Sequence, residues 1–392
     1  MLDRDIRHEN WLSPPYNRRS FQRVREIVPT ARIHNSAGRT QPLPEAPVDL
    51  DGLVFVDGSG DIRELATYLT ESFCDSIAVV HQGALVYERY FNGMTPETPH
   101  LLMSVSKSFA AAALGIAIGR GLLAVDDLVI DVAPEFAGSN LEGATVQQLV
   151  DMSAGTHFDE VYDHVEETPE SRDWFDYERQ TGYRPLGNHE PIGTMAHFRT
   201  LGSAFDHGTR FLYRSPLTDV VGRIVELAND LSYAEVLSRD LWGPLGQEHD
   251  ANIMVDVVGQ AVPDGAMSCS TRDLARFGLA YLQGGRVADQ QVIPNHWIDD
   301  TAHGTNDALA NFAVSPDRVE GWSHYRNAFW VAERDQVFTG WGIHGQFCWV
   351  DRRTDTVIAR LSTMPEPDRD DDAADVHASM AAISAHLAGA TT

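Results

Sequence analysis

Lysine is all but missing from this chain: 30 residues are basic, and every one of them except Lys107 is arginine. Cysteine is scarce as well. Cys74, Cys269 and Cys348 form an odd, widely spaced set with no Cys-x-x-Cys pair, so neither a disulfide framework nor a thiolate metal site is indicated. Positive charge is outweighed by 57 acidic residues, and the resulting net charge of -27 repels nucleic acid and anionic membrane surfaces. No apolar run reaches membrane-spanning length, and the charged stretch from Met1 to Asn10 lacks the apolar core of a secretion signal. A reduced, cytoplasmic location is the expectation. The chain also lacks the G-x-S-x-G elbow of α/β-hydrolases and the H-E-x-x-H pair of zinc peptidases. Its sixteen histidines show no spacing to carboxylates that suggests a metal site, so no metal and no cofactor is expected.

What is present turns on Lys107. It follows Ser104 by one helical turn in Met103-Ser104-Val105-Ser106-Lys107-Ser108. Arginine does not give up its proton in a protein, whereas a buried lysine can be tuned to do so. A serine hydroxyl is a poor nucleophile until a neighbouring base takes its proton, and a neutral amine can be that base. The run from Phe109 to Ile118 is small, apolar nearly all round and stopped by Gly119 and Gly121, which predicts a buried helix of about four turns. A charged lysine on its first turn is expensive to bury, so a neutral or tightly paired amine is expected. The helix start also leaves amide groups, that of Ser104 among them, free for a developing oxyanion. A surface lysine beside a chance serine is the alternative that these residues leave open.

The chain organises around this helix. Residues 1–50, rich in proline and arginine over their length from 12 onward, read as an arm over the body, with one short helix expected near Phe21 to Val28. Ser76 to His81 and Ala84 to Phe91, separated by Gln82-Gly83, predict a hairpin. Residues 132–259 read as mainly helical, with helices expected at Thr145 to Met152, Leu217 to Asn229 and Tyr233 to Leu241, and another follows the Ser270-Thr271 cap as far as Leu282. Strands return at Asn327 to Ala332, Phe347 to Asp351 and Val357 to Leu361, before a closing helix from Asp370 through His386. The pattern is α/β: an antiparallel sheet assembled from residues 51–131 and 260–392, flanked by helices, with the helical segment inserted between. Gly340-Trp341-Gly342-Ile343-His344-Gly345 matches the dinucleotide pattern literally, yet a strand rather than a helix is expected after it, so no such cofactor is expected.

Ser104-x-x-Lys107 is the signature of penicillin-recognising serine enzymes, and the run His100 to Ser108 resembles the β-lactamase-related hydrolases. Thr145 to Gly155 resembles the segment that follows in that group, and Tyr213-Arg214-Ser215 falls where its class C branch carries Tyr-x-Asn or Tyr-x-Ser. Trp341-Gly342-Ile343-His344-Gly345-Gln346, ahead of a Trp-Val-Asp strand, is similar to the 6-aminohexanoate-dimer hydrolases of the same family. The likeness runs from the Trp11 region to the last strands. It implies a β-lactamase/transpeptidase-like fold and a serine hydrolase acting on small esters and on linear amides such as 6-aminohexanoate oligomers. Ser104 is then the nucleophile, Lys107 and Tyr213 share its proton, and the amides of Ser104 and Ile343 form the oxyanion hole.

The resemblance also places Tyr162, Asp173, Asp264 and His344 at the substrate, under an acidic loop that carries Asp163, Glu166, Glu167 and Glu170. Two departures stand out. Gly340 occupies the position where penicillin-recognising members carry lysine or histidine, which disfavours a β-lactamase or D-alanyl peptidase, and Asp264 replaces an asparagine of some nylon-oligomer enzymes. A non-catalytic ligand-binding module of the same fold is the alternative from another class. The expected partner is a small-molecule ester or amide, with a homodimer as the one protein partner left open.

Overall fold

Seven antiparallel strands make the central sheet of the computed structural model, which describes residues 5–35, 40–162, 167–168 and 171–389. Their order across the sheet is His324–Arg326, Phe329–Glu333, Val337–Gly342, Gln346–Asp351, Thr356–Ser362, Cys74–His81 and Ala84–Tyr90. The two ends of the chain therefore meet where Thr356–Ser362 pairs with Cys74–His81. Side chains alternate across a strand, and both faces of this sheet are covered. Ile77, Val79, Phe347, Trp349 and Ile358 pack with Val376, Met380 and Ile383 of the closing helix Asp370–Leu387. Ala78, Val80, Cys348, Val350, Val357 and Ala359 face the other way, into a larger core shared with the helix Thr271–Leu282. That helix lies close to the sheet because it has Gly278 at the contact, where a Cβ would come within 2.5 Å of Val357 Cγ1.

Local caps start several of the helices. Thr145 caps Val146–Val150 in a box with Gln148, and Ser270 caps Thr271–Leu282 by accepting from the Asp273 amide. The expected helix Tyr233 to Leu241 begins as Tyr233–Val236 and then widens into a π-turn at Leu237–Trp242. There the Ser238 hydroxyl donates to Ala234 O at 2.6 Å and accepts from the His34 amide at 2.9 Å, competing with the regular ladder.

The N-terminal arm differs from expectation. Instead of lying over the body, it puts Trp11 and Phe21 into the larger core, and its strand Thr30–Ile33 pairs with Ala251–Met254. No continuous helix covers 21–28, because Phe21 O accepts the Leu101 amide; the chain forms Asn17–Ser20 and a 3₁₀ turn at Val24–Glu26. Thr30–Ile33, Ala251–Met254, Met267–Cys269 and His100–Leu101 then form a second sheet in that order, joining the arm, the helical segment and the α/β part. Among the described residues no helix is long and apolar enough to cross a membrane.

The helical segment is also tied to the sheet edge by charge. Arg326, about a tenth exposed, reaches Asp151 at the end of Val146–Val150 and donates through Nε to Asp300 Oδ2 at 2.8 Å, while the Asn327 amide donates to Asp151 Oδ1 at 3.0 Å. Removing one partner of a buried pair leaves the other charge uncompensated. Arg326→Met is therefore expected to lower unfolding stability by about 3–5 kcal/mol in urea titrations. A loss below ~1 kcal/mol would show that the bridge does not hold the two parts together.

Candidate active site

The chain turns sharply from the strand His100–Leu101 into the helix Ser106–Gly119, and Ser104 sits on that turn. Met103 adopts φ 46°, a left-handed conformation that strains a side-chain-bearing residue. Its neighbour Leu102 is held by donating its amide to Met267 O at 2.8 Å. The helix behind is buried from Ser106 through Ala117, and Phe109 stacks on Phe277 at 3.8 Å between centroids. Ser104 thus stands on a rigid base.

Lys107 is buried to 1% exposure. Its Nζ donates to Ser104 Oγ at 2.8 Å and to the main-chain oxygen of Asp264. Burial pulls the ammonium below the usual lysine range, while the carboxylates of Asp264, Glu160 and Asp219 pull it back. Asp264 is itself pushed up to about 6 by burial, against the attraction of Lys107. Its carboxylate accepts from Tyr183 at 3.3 Å, and its amide donates to Asp219 Oδ1 at 3.1 Å, with Tyr177 donating to Asp219 Oδ2 at 2.6 Å. Burial and the nearby Asp264 raise Asp219 in turn.

This arrangement has a pH consequence. If the neutral amine is the active form, activity rises with pH as Lys107 loses its proton, and the Asp264 charge delays that loss. Asp264→Asn is expected to move the rising limb of the kcat/KM profile to lower pH. An unmoved or oppositely moved limb would separate Asp264 from the proton chemistry.

Tyr213 stands beside the pair. Its ring centroid is 5.1 Å from Lys107 Nζ, and its face stacks on Trp330 at 5.5 Å. Burial and the Glu160 charge hold it well above the usual phenol range, and the neighbouring Ser104 acts the other way. It is therefore a neutral phenol at rest. Glu160, which sequence reasoning missed, accepts from the amide and hydroxyl of Ser215 and from the Tyr162 hydroxyl. The only available signal was its position two residues before Tyr162.

The strand Val337–Gly342 runs directly against the serine turn. A Cβ on Gly342 would lie 2.7 Å from Leu102 O and 2.9 Å from the Ser104 nitrogen, so glycine is what lets the strand end approach. Gly340 likewise packs on the serine helix, where a Cβ would come within 2.9 Å of Ser108 Oγ. The apparent dinucleotide motif is this close packing followed by a turn. Ile343, on the turn, is buttressed from behind: Gln346 Nε2 donates to its oxygen at 3.2 Å, and the buried Arg360 donates to Gly345 O at 2.6 Å. His344 donates its amide to Pro367 O and pairs Nδ1 with Met364 O, both at 2.7 Å. Burial brings its imidazole down to about 4, so it is neutral and engaged in holding the turn.

Ser104, Tyr162 and Ile343 line two chambers at once. One, of about 780 Å³, has Tyr213, Trp330, Trp341, Trp322 and His377 on its wall. The other, of about 500 Å³, is walled by Trp174, Tyr183, Glu178, Asp264, His344 and Glu366. Of the sequence-predicted substrate residues, the structure brings Tyr162, Asp264 and His344 to these chambers. Asp173 is not brought in: it is about half exposed on the helix Arg172–Thr181, 3.9 Å from His157, and lines neither chamber. Of the acidic loop, Glu167 pairs with Arg179, while Asp163, Glu166 and Glu170 lie outside the described residues.

Comparison with known proteins bears on the family and the fold. The beta-lactamase family model matches residues 63–382. A curated relative, the 6-aminohexanoate-dimer hydrolase of Paenarthrobacter ureafaciens, is 35% identical over 365 residues, covering 92% of this chain and 88% of that protein. A Bacillus anthracis structure described as a candidate 6-aminohexanoate-dimer hydrolase superposes with a TM-score of 0.89 over 99% of both chains at 24% identity. A family VIII carboxylesterase shares the fold at TM-score 0.57 and 16% identity, over 81% of this chain and 95% of that one. Because the family model spans residues 63–382 and the curated relative is matched over 92% of this chain, the chain belongs to the beta-lactamase family of serine hydrolases.

Proposed function

We propose that this hydrolase cleaves small carboxylic esters and, more slowly, linear amides such as 6-aminohexanoate oligomers, through an acyl-enzyme on Ser104. The observation that carries the reading is the buried amine of Lys107, 2.8 Å from Ser104 Oγ. Lys107 takes the hydroxyl proton as Ser104 attacks the acyl carbon, and the amides of Ser104 and Ile343 hold the oxyanion. Tyr213, a neutral phenol, passes a proton to the departing group, and water then releases the acyl chain by the reverse relay. Because Tyr213 lines only the larger chamber, the leaving group departs there and the acyl group occupies the smaller one. Glu178 on the smaller chamber's wall is paired with Arg184, which leaves Glu9, Asp264 and Glu366 as an acidic balance that suits an acyl chain ending in an ammonium. Ester cleavage is favoured because an alkoxide leaves readily, whereas an amine must be protonated as it departs. The relative's name supports the amide substrate.

The test uses purified protein with p-nitrophenyl butyrate, the linear 6-aminohexanoate dimer and nitrocefin. Turnover of the first two, with a fluorophosphonate adduct mapping to Ser104, is expected. Nitrocefin is expected to be poor, since Gly340 leaves no room for a basic side chain to hold its carboxylate. No ester turnover and no Ser104 adduct would leave only a ligand-binding module.

A further inference from the structure

The larger chamber has a wall that the proposed chemistry does not need. From Tyr213, beside the serine, a continuous aromatic strip runs outward: Tyr213 stacks on Trp330 at 5.5 Å, Trp330 meets Trp341 at 5.4 Å, and Trp341 meets Trp322 at 6.2 Å. His377 closes the strip 5.0 Å from Trp341 and 4.6 Å from Trp322, and burial brings its imidazole down to about 3, so the strip carries no charge at neutral pH. Tyr213, Trp322 and Trp341 are only partly buried, which leaves part of their apolar surface uncovered. Several charged groups on the same wall are already occupied. Arg214 donates to Tyr213 O at 2.6 Å and pairs with Asp317 at 3.5 Å, Glu160 holds Ser215 and Tyr162, and Arg318 donates to Ser315 O at 3.2 Å. Glu320 and Asp368 line the chamber with Arg318, so charge of neither sign is singled out. The unused recognition surface is aromatic.

We propose that the larger chamber is a subsite for an uncharged aryl group on the leaving side of the substrate, so that aryl-bearing alcohols are preferred over saturated alcohols of equal size. The inference rests on the orientation proposed above, in which the leaving group departs past Tyr213. Aromatic rings gain from offset and edge contacts beyond the area they bury, whereas a saturated ring of the same volume gains the area alone. When the acyl carbon to oxygen bond breaks, the alcohol takes its proton from Tyr213 and leaves along the strip, while the acyl group stays on Ser104.

The experiment compares benzyl butyrate with cyclohexylmethyl butyrate, which share the acyl chain and differ in the aromaticity of the leaving alcohol. A preference of about tenfold in kcat/KM for the benzyl ester is expected from aromatic contacts of ordinary strength. Trp341→Leu and, independently, Trp322→Leu should reduce that ratio toward one in folded protein. Two variants are used because Trp341 lies in a strand and its loss can impair folding, whereas Trp322 precedes the sheet. Any preference for ethyl phenylacetate over ethyl cyclohexylacetate, whose acyl groups lie beside Trp174 and Tyr183 in the smaller chamber, should be unchanged in both variants. Equal rates for the two butyrates, a ratio unchanged in both variants, or an acyl-side ratio that falls in both variants while the leaving-side ratio stays would each overturn the proposal. Failure to hydrolyse either butyrate, with no fluorophosphonate adduct on Ser104, would instead overturn the function on which it rests.

Discussion

Lys107→Arg is expected to cut kcat/KM for p-nitrophenyl butyrate by at least ~10²-fold in protein that remains folded by circular dichroism, in keeping with the usual size of general-base effects. Arginine keeps the positive charge and the donor capacity but cannot lose its proton, so it separates a proton-transfer role from a merely cationic one. The site is fully buried, and the larger guanidinium strains it; Lys107→Met, close in length and without charge, provides the second test. Both variants should lose activity while differing in stability. If either one cleaves the ester as fast as the unmodified protein, the lone lysine is not the base and the Ser104 mechanism is wrong.

Gly342→Ala should have an effect of comparable size for a different reason. The new methyl would meet main-chain atoms, Leu102 O at 2.7 Å and the Ser104 nitrogen at 2.9 Å, which cannot rotate away as a side chain can. The strand end must retreat from the serine turn, which separates the Ser104 and Ile343 amides. Loss of one oxyanion donor typically costs ~10²–10³ in kcat, and the overpacking itself costs about 1–3 kcal/mol of stability. Gly52→Ala is the control, since nothing lies within 4 Å of a Cβ there. Full activity in Gly342→Ala would show that the close approach of strand and serine turn has no part in catalysis.

The legible parts of the molecule were those whose signal is local. The hairpin Cys74–His81 and Ala84–Tyr90, the helix Ser106–Gly119 and the capped helices at Thr145 and Ser270 each announce themselves within a dozen residues. The strand Val337–Gly342 did not, because its two glycines weaken its β-pattern, and those glycines are present for packing on the serine turn rather than for strand propensity. The arm was misplaced because nothing local says that Phe21 O will accept the Leu101 amide.

The site divides in the same way. Ser104 and Lys107 are three residues apart, on the serine turn and the first turn of the helix that follows it, so their spacing and the rarity of lysine were enough to pair them, and likeness to a family added Tyr213 and Ile343. Glu160, Asp219 and the tryptophan strip carry no comparable mark, because each owes its place to segments brought together from distant parts of the chain. By itself the sequence singled out the candidates for the proposed chemistry: the one lysine of the chain, beside a serine at helical spacing. Only the tertiary structure decided how that lysine is tuned, by burying it among Asp264, Glu160 and Asp219, and that two chambers open at Ser104. Desolvation, long-range charge and cavity shape are properties of packed neighbours, and no stretch of sequence contains its own neighbours.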